Sequence, residues 1–428
     1  MCSSQNEFII NTLLNNIDLL NIPSKNTSVE KKVIGNLYND LYISYKKVHR
    51  LMNNKKINIS TIPVKTESDI PYTELLDSFF CVKQFKQNIY KKTTKIIVYT
   101  LTLKNIDITI YLNDVTNEQN ITKYIMLHAI SIIDLLLEYT TDNVAGTGAS
   151  AKNGKSGTTT AKTKTMSIYL YLDDNEKMLP NSNIMPLDIE NINTAVTYSC
   201  SEHGQILIFR KEEWLKCLIH ELFHSLCLDF VSMHLNDTIK KSLKNIFCVD
   251  SEYALSETYN EWWTTNLNCL LFSFMILDKK TKKKECLQLY KVCLLTEQMF
   301  TMFQITKILN YMNMNYMMLV DKTVDSQIKS NLYKEKTNVL CYYIIKGVLL
   351  FYNNDTIKFF KQNNSSLLNF DKTPQTIKRF LKLIEELHDK KPILNVFKKY
   401  KVFYDKIDKS NPAFKKMLNT MMMTINGV

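Results

Sequence analysis

The first part of the chain alternates between two hydrophobic periodicities. Residues 7–22 and 29–52 place apolar side chains at the three-to-four-residue spacing that is typical of amphipathic helices. Residues 96–103 and 106–112 instead alternate apolar and polar side chains, and the short interval between them suits a hairpin turn. The pattern therefore predicts a pair of helices followed by a β-hairpin.

The central part of the chain combines one long helix, a glycine-rich segment and three short strands. Residues 117–139 have a continuous apolar face and predict a helix. Residues 143–165 are small and polar, which predicts a flexible loop. This loop holds a loose match to the phosphate-binding P-loop, but it lacks the preceding buried strand and the following helix that such a site needs. Short apolar segments then predict strands at residues 167–172, 194–199 and 205–210.

Helical periodicity dominates the rest of the chain. A helix is predicted to begin near Lys211, with Glu212 and Glu213 in its first turn, where carboxylates are favoured by the helix dipole. From Asp250 onward nearly every segment is helical in pattern. The clearest of these segments are residues 251–277, 283–312, 330–352 and 374–388.

These elements predict an α+β fold, with a small mixed sheet and a mostly helical carboxyl-terminal region. The length of 428 residues favours two or three domains or subdomains. We expect an N-terminal helical region at residues 1–78 and a subdomain at 79–249 that contains the sheet. A helical subdomain is expected at 250–428.

The composition is that of a globular protein, with 45% hydrophobic and 22% charged residues. The formal net charge of +12 would suit an acidic partner such as nucleic acid. The lysines are scattered, however, and the sequence holds no clear nucleic-acid-binding motif. We therefore interpret the charge as a lysine-rich solvated surface.

The cysteines and the apolar segments indicate in which cellular compartment the protein is expected and whether it spans a membrane. Ten cysteines occur without paired spacing, and several, including Cys217, Cys227 and Cys341, lie in apolar segments. The first residues lack the charged and apolar regions of a signal peptide. The longest apolar segments, 267–277 and 339–352, are too short to span a bilayer. These features predict reduced thiols, a cytoplasmic location and no membrane span.

One motif carries recognisable chemistry. The segment IHELFHSLCLDF places His220, Glu221 and His224 in the pattern H-E-x-x-H. Helical residues four apart lie about 40° apart around the axis, so both imidazoles can reach one Zn²⁺ ion, while Glu221 can take a proton from an activated water. The helix is apolar on nearly every side, which predicts burial. The alternative, two hydrogen-bonded core histidines and a surface glutamate, accounts less well for buried charge.

A catalytic zinc site needs a third protein ligand from outside this motif. Asp229 is close in sequence, but five residues along a continuous helix place it about 140° from the second histidine. The segment SEYALSETYNEWW offers Glu257 and Glu261 on one helical face, so that one can bind the metal while the other accepts the N–H of a ligating histidine. Glu252 is a weaker substitute. A solvated acidic face is the alternative, which the neighbouring tryptophans disfavour.

These residues resemble the gluzincin group of zinc metallopeptidases, in which H-E-x-x-H lies on one helix and a zinc-binding glutamate on a later one. The resemblance covers residues 96–277 and implies Glu257 as the third ligand and Glu261 as the carboxylate behind the first histidine. The interval from His224 to Glu257 is longer than in compact members, and no complete signature surrounds Glu257. The order of strands and helices is also similar to a zincin core, in which an upstream edge strand binds the substrate backbone; residues 193–199 would take that place.

The segment FRKEEWLKCLIHELFHSLCLDF also resembles uncharacterised metallopeptidase-like proteins of large DNA viruses, which would place the chain in the virion or the host-cell cytoplasm. We expect zinc-dependent hydrolysis of a peptide or protein substrate, with one Zn²⁺ per chain and Glu221 as the general base. Tyr198, His203 and His234 are candidate oxyanion donors. Two alternatives stay open, a catalytically silent binding protein on a zincin-like fold and a basic nucleic-acid-associated factor.

Overall fold

The computed structural model has an α+β architecture, as the sequence predicts. The predicted loop at 143–165, with its P-loop-like motif, lies outside the described residues except for Lys164 and Thr165. The described residues are 4–20, 22, 28–115, 122–140, 164–233 and 237–427.

A mixed six-stranded sheet forms the β part of the fold. Its strands are β1 (Asn58–Pro63), β2 (Thr93–Leu103), β3 (Ile106–Val115), β4 (Thr165–Asp173), β5 (Ala195–Thr197) and β6 (His203–Arg210). They lie in the order β1-β2-β3-β4-β6-β5, so β1 and β5 are the two edges. The β3–β4 and β4–β6 pairs are parallel, whereas β1–β2, β2–β3 and β5–β6 are antiparallel. The sequence does not predict β1, which lies in the region expected to be helical.

Helices cover the sheet and make up most of the chain after β6. The helices before α7 are α1 (Ser4–Asn15), α2 (Ile17–Leu20), α3 (Ser28–Asn53), α4 (Lys83–Lys92), α5 (Lys123–Leu137) and α6 (Ile189–Ile192). Those from α7 to α12 are α7 (Trp214–Ser225), α8 (Asp237–Phe247), α9 (Leu255–Met275), α10 (Lys283–Tyr311), α11 (Tyr316–Val320) and α12 (Ser326–Leu332). A π-helix (Leu340–Ile345) then leads into α13 (Lys346–Phe351), α14 (Asn353–Asn363), α15 (Pro374–Leu387), α16 (Lys391–Lys406) and α17 (Lys415–Asn419).

One predicted helix is wrong. Residues 330–352 do not form a single helix, because the chain leaves helical geometry after Leu332 and resumes it only near the π-helix. The intervening backbone pairs with a distant segment: Leu187 N donates to Lys334 O at 3.1 Å, and Lys336 N donates to Leu187 O at 2.8 Å. These long-range hydrogen bonds replace the local ones of a helix.

The two faces of the sheet have separate apolar cores. On β4, Ile168 and Leu170 point to the face covered by α5 and α7, whereas Tyr169 and Tyr171 point to the opposite face with Phe85 of α4. This alternation is the two-residue period of a strand buried on both sides. Helix α7 packs between β6 on one side and α9 on the other, so it is enclosed on both sides.

One pair of cysteines differs from the prediction of reduced thiols. Cys200 and Cys227 form a disulfide, whereas the other seven cysteines of the described residues are free. The prediction of reduced thiols is therefore wrong for this pair, because spacing along the sequence does not show that the chain after α7 returns to the β5–β6 connection. Within the described residues, every helix is too short or too polar to cross a bilayer.

Candidate metal centre

Helix α7 holds both motif histidines inside the protein. It begins at Trp214, three residues later than the predicted start, because Glu213 has a left-handed backbone with φ of 63°. Every residue from Trp214 to Ser225 is buried. Because His220 and His224 are four residues apart, their side chains leave the helix on the same side, toward α9.

Three ligand atoms meet at this point. Nε2 of His220 and Nε2 of His224 are 3.2 Å apart, and each lies 3.1 Å from Oε2 of Glu257 on α9. Ligands about 2.0–2.1 Å from a tetrahedral zinc ion lie about 3.3 Å from one another, so this triangle has nearly the required size. The three residues form a group that can hold a metal ion.

A buried ion pair lies behind His220. Nδ1 of His220 is 2.9 Å from Oε1 of Glu261, which shares a face of α9 with Glu257. The ammonium of Lys216, one turn before His220 on α7, lies 2.6 Å from both oxygens of Glu261. The carboxylate of Glu261 is therefore held from two sides, and its contact with Nδ1 leaves Nε2 of His220 directed at the metal position.

A second carboxylate lies behind His224. Helix α7 ends at Ser225, and Cys227, with φ of 53°, turns the chain back toward the site. This turn places Oδ2 of Asp229 at 2.5 Å from Nδ1 of His224, where it also accepts a 2.7 Å hydrogen bond from Asn260. Asp229 is fully buried. The sequence-based prediction that Asp229 lies away from the site is wrong, because it assumed a continuous helix and α7 ends before the turn at Cys227.

The ionisable groups of the site shift one another's proton affinity. Burial lowers the pKa of His220, but contacts with Glu257 and Glu261 outweigh burial and raise it to about 9. Burial opposes the charge of Glu257 as well, yet the two histidines hold its pKa well below the usual value. Burial likewise opposes the charge of Glu261, but the ammonium of Lys216 outweighs it and lowers the pKa of that carboxyl. Both carboxylates are thus ionised at neutral pH.

Glu221 stands beside the ligands without joining their triangle. Its side chain is buried and lines a cleft of about 190 Å³ together with His220, His224 and Glu257. Burial raises the pKa of Glu221, and the neighbouring histidines partly offset that effect. A carboxylate with an increased proton affinity, facing open space beside a metal position, suits a general base.

The walls of the cleft come from the sheet edge and from the π-helix. Ala195 and Thr197 of β5 line one wall, while Asn338 and Tyr342 line another. The Tyr342 ring is centred 6.1 Å from the ring of His220. Tyr342 could not be predicted as a site residue from the sequence, since nothing in its local pattern indicates a π-helix, a feature that is frequent at functional sites.

The other candidates that the structure describes, Tyr198, His203 and Glu252, do not line the cleft. Tyr198 is 45% exposed, and Nδ1 of the exposed His203 lies 2.9 Å from Oγ1 of Thr165. Glu252 is exposed in the segment before α9, and His234 lies outside the described residues.

Comparison of the chain with known protein families, curated proteins and solved structures found no match. The site is therefore interpreted from its own geometry. That geometry comprises three converging ligand atoms, a carboxylate behind each histidine and a glutamate that faces a cleft.

Proposed function

We propose that this chain is a zinc-dependent hydrolase of peptide bonds, similar in its ligand set to the gluzincin metallopeptidases. The observation that carries the proposal is the triangle of His220, His224 and Glu257 at the wall of a cleft that Glu221 also lines. Catalytic zinc sites have three protein ligands and one open position, whereas structural sites are closed by four.

The chemistry of the donors favours zinc over other metals. Two imidazole nitrogens and one carboxylate oxygen at tetrahedral spacing suit Zn²⁺, whereas Mg²⁺ and Ca²⁺ prefer sets of oxygen ligands. Zinc in such a site polarises the scissile carbonyl and lowers the pKa of water toward neutrality. Glu261 and Asp229 hold the two imidazoles with Nε2 directed at the metal position.

Glu221 and Tyr342 are the residues we assign to proton transfer and charge stabilisation. Glu221 takes a proton from the attacking water and passes it to the leaving amine. Tyr342 takes the place of the oxyanion candidates expected from the sequence, because its side chain lines the cleft beside His220. Burial, together with neighbouring carboxylates, keeps the pKa of Tyr342 well above its usual value, so its hydroxyl retains the proton that it donates.

The edge strand supports a peptide as the substrate. Phe209 N donates to Thr194 O at 3.0 Å, and the pairs of an antiparallel ladder alternate between hydrogen-bonded and non-hydrogen-bonded. The backbone groups of Ala195 and Thr197 therefore point away from β6, on the side of the sheet that has no further strand. An extended peptide can pair with these groups as an added strand.

Replacement of Glu221 by Gln tests this assignment. Since the amide cannot accept the water proton, we expect hydrolysis to fall by about 10²–10⁴-fold while zinc content and melting temperature are unchanged. The measurements are metal content by mass spectrometry, thermal melting and cleavage of a peptide library, all on one preparation. The double variant His220→Ala/His224→Ala is the control and should lose its zinc. A Glu221→Gln protein that binds zinc and cleaves as fast as the parent would contradict the mechanism.

A further inference from the structure

The relative direction of β5 and α7 along the cleft follows from the connection between β6 and α7. At the start of β5, Thr194 O accepts from Phe209 N near the beginning of α7; at its end, Cys200 N donates to His224 O at 3.1 Å near the end of α7. Strand β5 and helix α7 therefore run in the same direction along the cleft.

A peptide added to β5 has a preferred direction. Antiparallel pairing is slightly more stable per residue than parallel pairing. A peptide that is antiparallel to β5 enters near Ser199 and His224 and ends near Asn193 and Lys216. The part of the substrate on the carboxyl side of the scissile bond then lies toward the beginning of α7.

That end of the cleft is closed. Thr337 Oγ1 lies 3.5 Å from Asn193 Oδ1, which joins the β5 wall to the segment before the π-helix. The lining residues there, Ile192, Lys177, Lys216 and Met423, are each no more than 5% exposed. At the opposite end, the lining residue Ser199 is exposed and Val231 is partly exposed. Within the described residues, the cleft is thus open on the amino side of a bound peptide and walled on its carboxyl side.

Two ammonium groups stand at the closed end. The ammonium group of Lys216 is bound by both oxygens of Glu261. The ammonium group of Lys177 forms an ion pair with Glu213, and this pair uses one of its three N–H donors. Glu213 also accepts a 2.6 Å hydrogen bond from Met423 N, so its charge is shared with the carboxyl-terminal segment of the chain. A carboxylate at this end would meet N–H donors in a poorly hydrated wall.

The distance along the cleft from the metal position to its closed end is short. Lys216 precedes His220 by one helical turn, which is about 6 Å along the axis at about 1.5 Å per residue. An extended peptide advances about 3.3 Å per residue, so about two residues fit between the metal position and the level of Lys216.

We infer that the site acts at the carboxyl end of its substrates, with the terminal carboxylate at the lysine-bearing wall and Lys177 as its partner. This inference rests on the proposed function. Water adds across one peptide bond near the terminus: the C–N bond breaks, the shortened peptide gains a carboxylate, and a short carboxyl-terminal fragment of about two residues leaves with a new amino group. The open end admits the long amino-terminal part.

A pair of synthetic peptides tests the inference on the unaltered, zinc-loaded protein. Both have the same sequence and a blocked amino terminus, and they differ only in a free carboxylate or an amide at the carboxyl terminus. We expect mass spectrometry to show short carboxyl-terminal fragments from the free acid. For the amide, kcat/KM should be about 10–100-fold lower, as expected for the loss of a charge-assisted hydrogen bond.

The outcomes separate the two proposals. Internal cleavage of both peptides at equal rates, or removal of amino-terminal residues from an unblocked peptide, would overturn this inference and leave the hydrolase assignment intact. The absence of any cleavage would overturn the hydrolase assignment and this inference with it.

A variant with matched charge tests the role of Lys177. The double change Lys177→Met/Glu213→Gln removes the ammonium together with its counter-charge, so that no unpaired charge is left buried. The amide oxygen that Glu213→Gln introduces can still accept the hydrogen bond from Met423 N, so the carboxyl-terminal segment keeps its contact. We expect zinc content to stay constant while the preference for the acid over the amide falls at least about fivefold. Unchanged discrimination would remove Lys177 from the assignment.

Discussion

At the scale of single residues, the candidate metal centre depends on carboxylates that have different roles. Glu257 completes the triangle with the two histidines, whereas Glu261 and Asp229 contact the far nitrogen of one imidazole each. A ligand supplies charge directly to the metal. A carboxylate behind a histidine only orients the ring and raises its basicity.

This difference predicts an order of zinc affinities. Glu257→Gln should lose most of its zinc affinity, because a charged ligand oxygen is removed. Glu261→Gln and Asp229→Asn should each lose about 10–100-fold, as changes behind a ligand usually do. Competition with a chromophoric chelator measures all three constants. If Glu261→Gln loses the metal and Glu257→Gln keeps it, the two roles are reversed.

The proton affinity of the ligands makes metal binding depend on pH. In apoprotein prepared with a chelator, the neighbouring carboxylates outweigh burial and raise the pKa of His220 to about 9 and that of His224 well above its usual value. Both rings then carry a second proton at neutral pH, which zinc must displace. The apparent zinc affinity should therefore rise with pH across neutrality, by about tenfold per unit for each proton displaced, and the share that comes from His220 should level off near its pKa of about 9. Calorimetry in buffers of different ionisation enthalpy counts these protons, and a count of zero would contradict the pairing.

At the scale of elements, the sequence predicts what local periodicity determines. Spacing alone places His220 and His224 on one face of α7, and alternation predicts β5 and β6 because both patterns are set within a few residues. The turn that brings in Asp229 and the π-helix that carries Tyr342 are set by contacts between distant segments. No local pattern distinguishes them from the continuation of a helix.

Strand β5 permits a test of substrate pairing at this scale. The Ala195 N–H points away from β6, so Ala195→Pro removes a donor for the substrate and leaves the sheet ladder intact. We expect the fold to persist and kcat/KM to fall about fivefold, which corresponds to about 1 kcal/mol for one hydrogen bond. Val196→Pro is the matched control, since it interrupts the β6 ladder and should lower the melting temperature. Equal peptide cleavage by Ala195→Pro and the parent would exclude pairing at this position.

At the scale of the whole molecule, the metal position joins two helices that belong to different parts of the sequence. Helix α7 follows the sheet, and α9 begins the helical half of the chain. One apolar cluster continues across both parts, from the strands through α7 and α9 to the carboxyl-terminal segment. A metal ion that binds between α7 and α9 binds the folded chain and not the unfolded one, so it stabilises the folded state.

Zinc should therefore raise the stability of the whole chain. At a free zinc concentration of about 1,000 times Kd, mass action contributes about 4.1 kcal/mol. We expect the melting temperature to rise with zinc and to fall when a chelator removes it, and the His224→Ala protein should show a much smaller change. Scanning calorimetry of the parent with zinc, the parent with a chelator and the His224→Ala protein with zinc provides the comparison. A melting temperature that does not respond to zinc in the parent would argue against a site between α7 and α9.

The disulfide has a consequence for how the chain responds to its surroundings. Cys200 ends the wall formed by β5, and Cys227 starts the turn that carries Asp229; the amides of both donate to the carbonyl of His224. Closing a loop with a sequence separation of 27 is worth about 3–4 kcal/mol in the chain-entropy account. Thiol reductants would release that constraint on the loop that contains two of the three ligand residues, His220 and His224. The redox state of the medium is therefore coupled to the rigidity of the candidate metal centre, and the protein in an oxidising medium differs from the same protein in a reducing one.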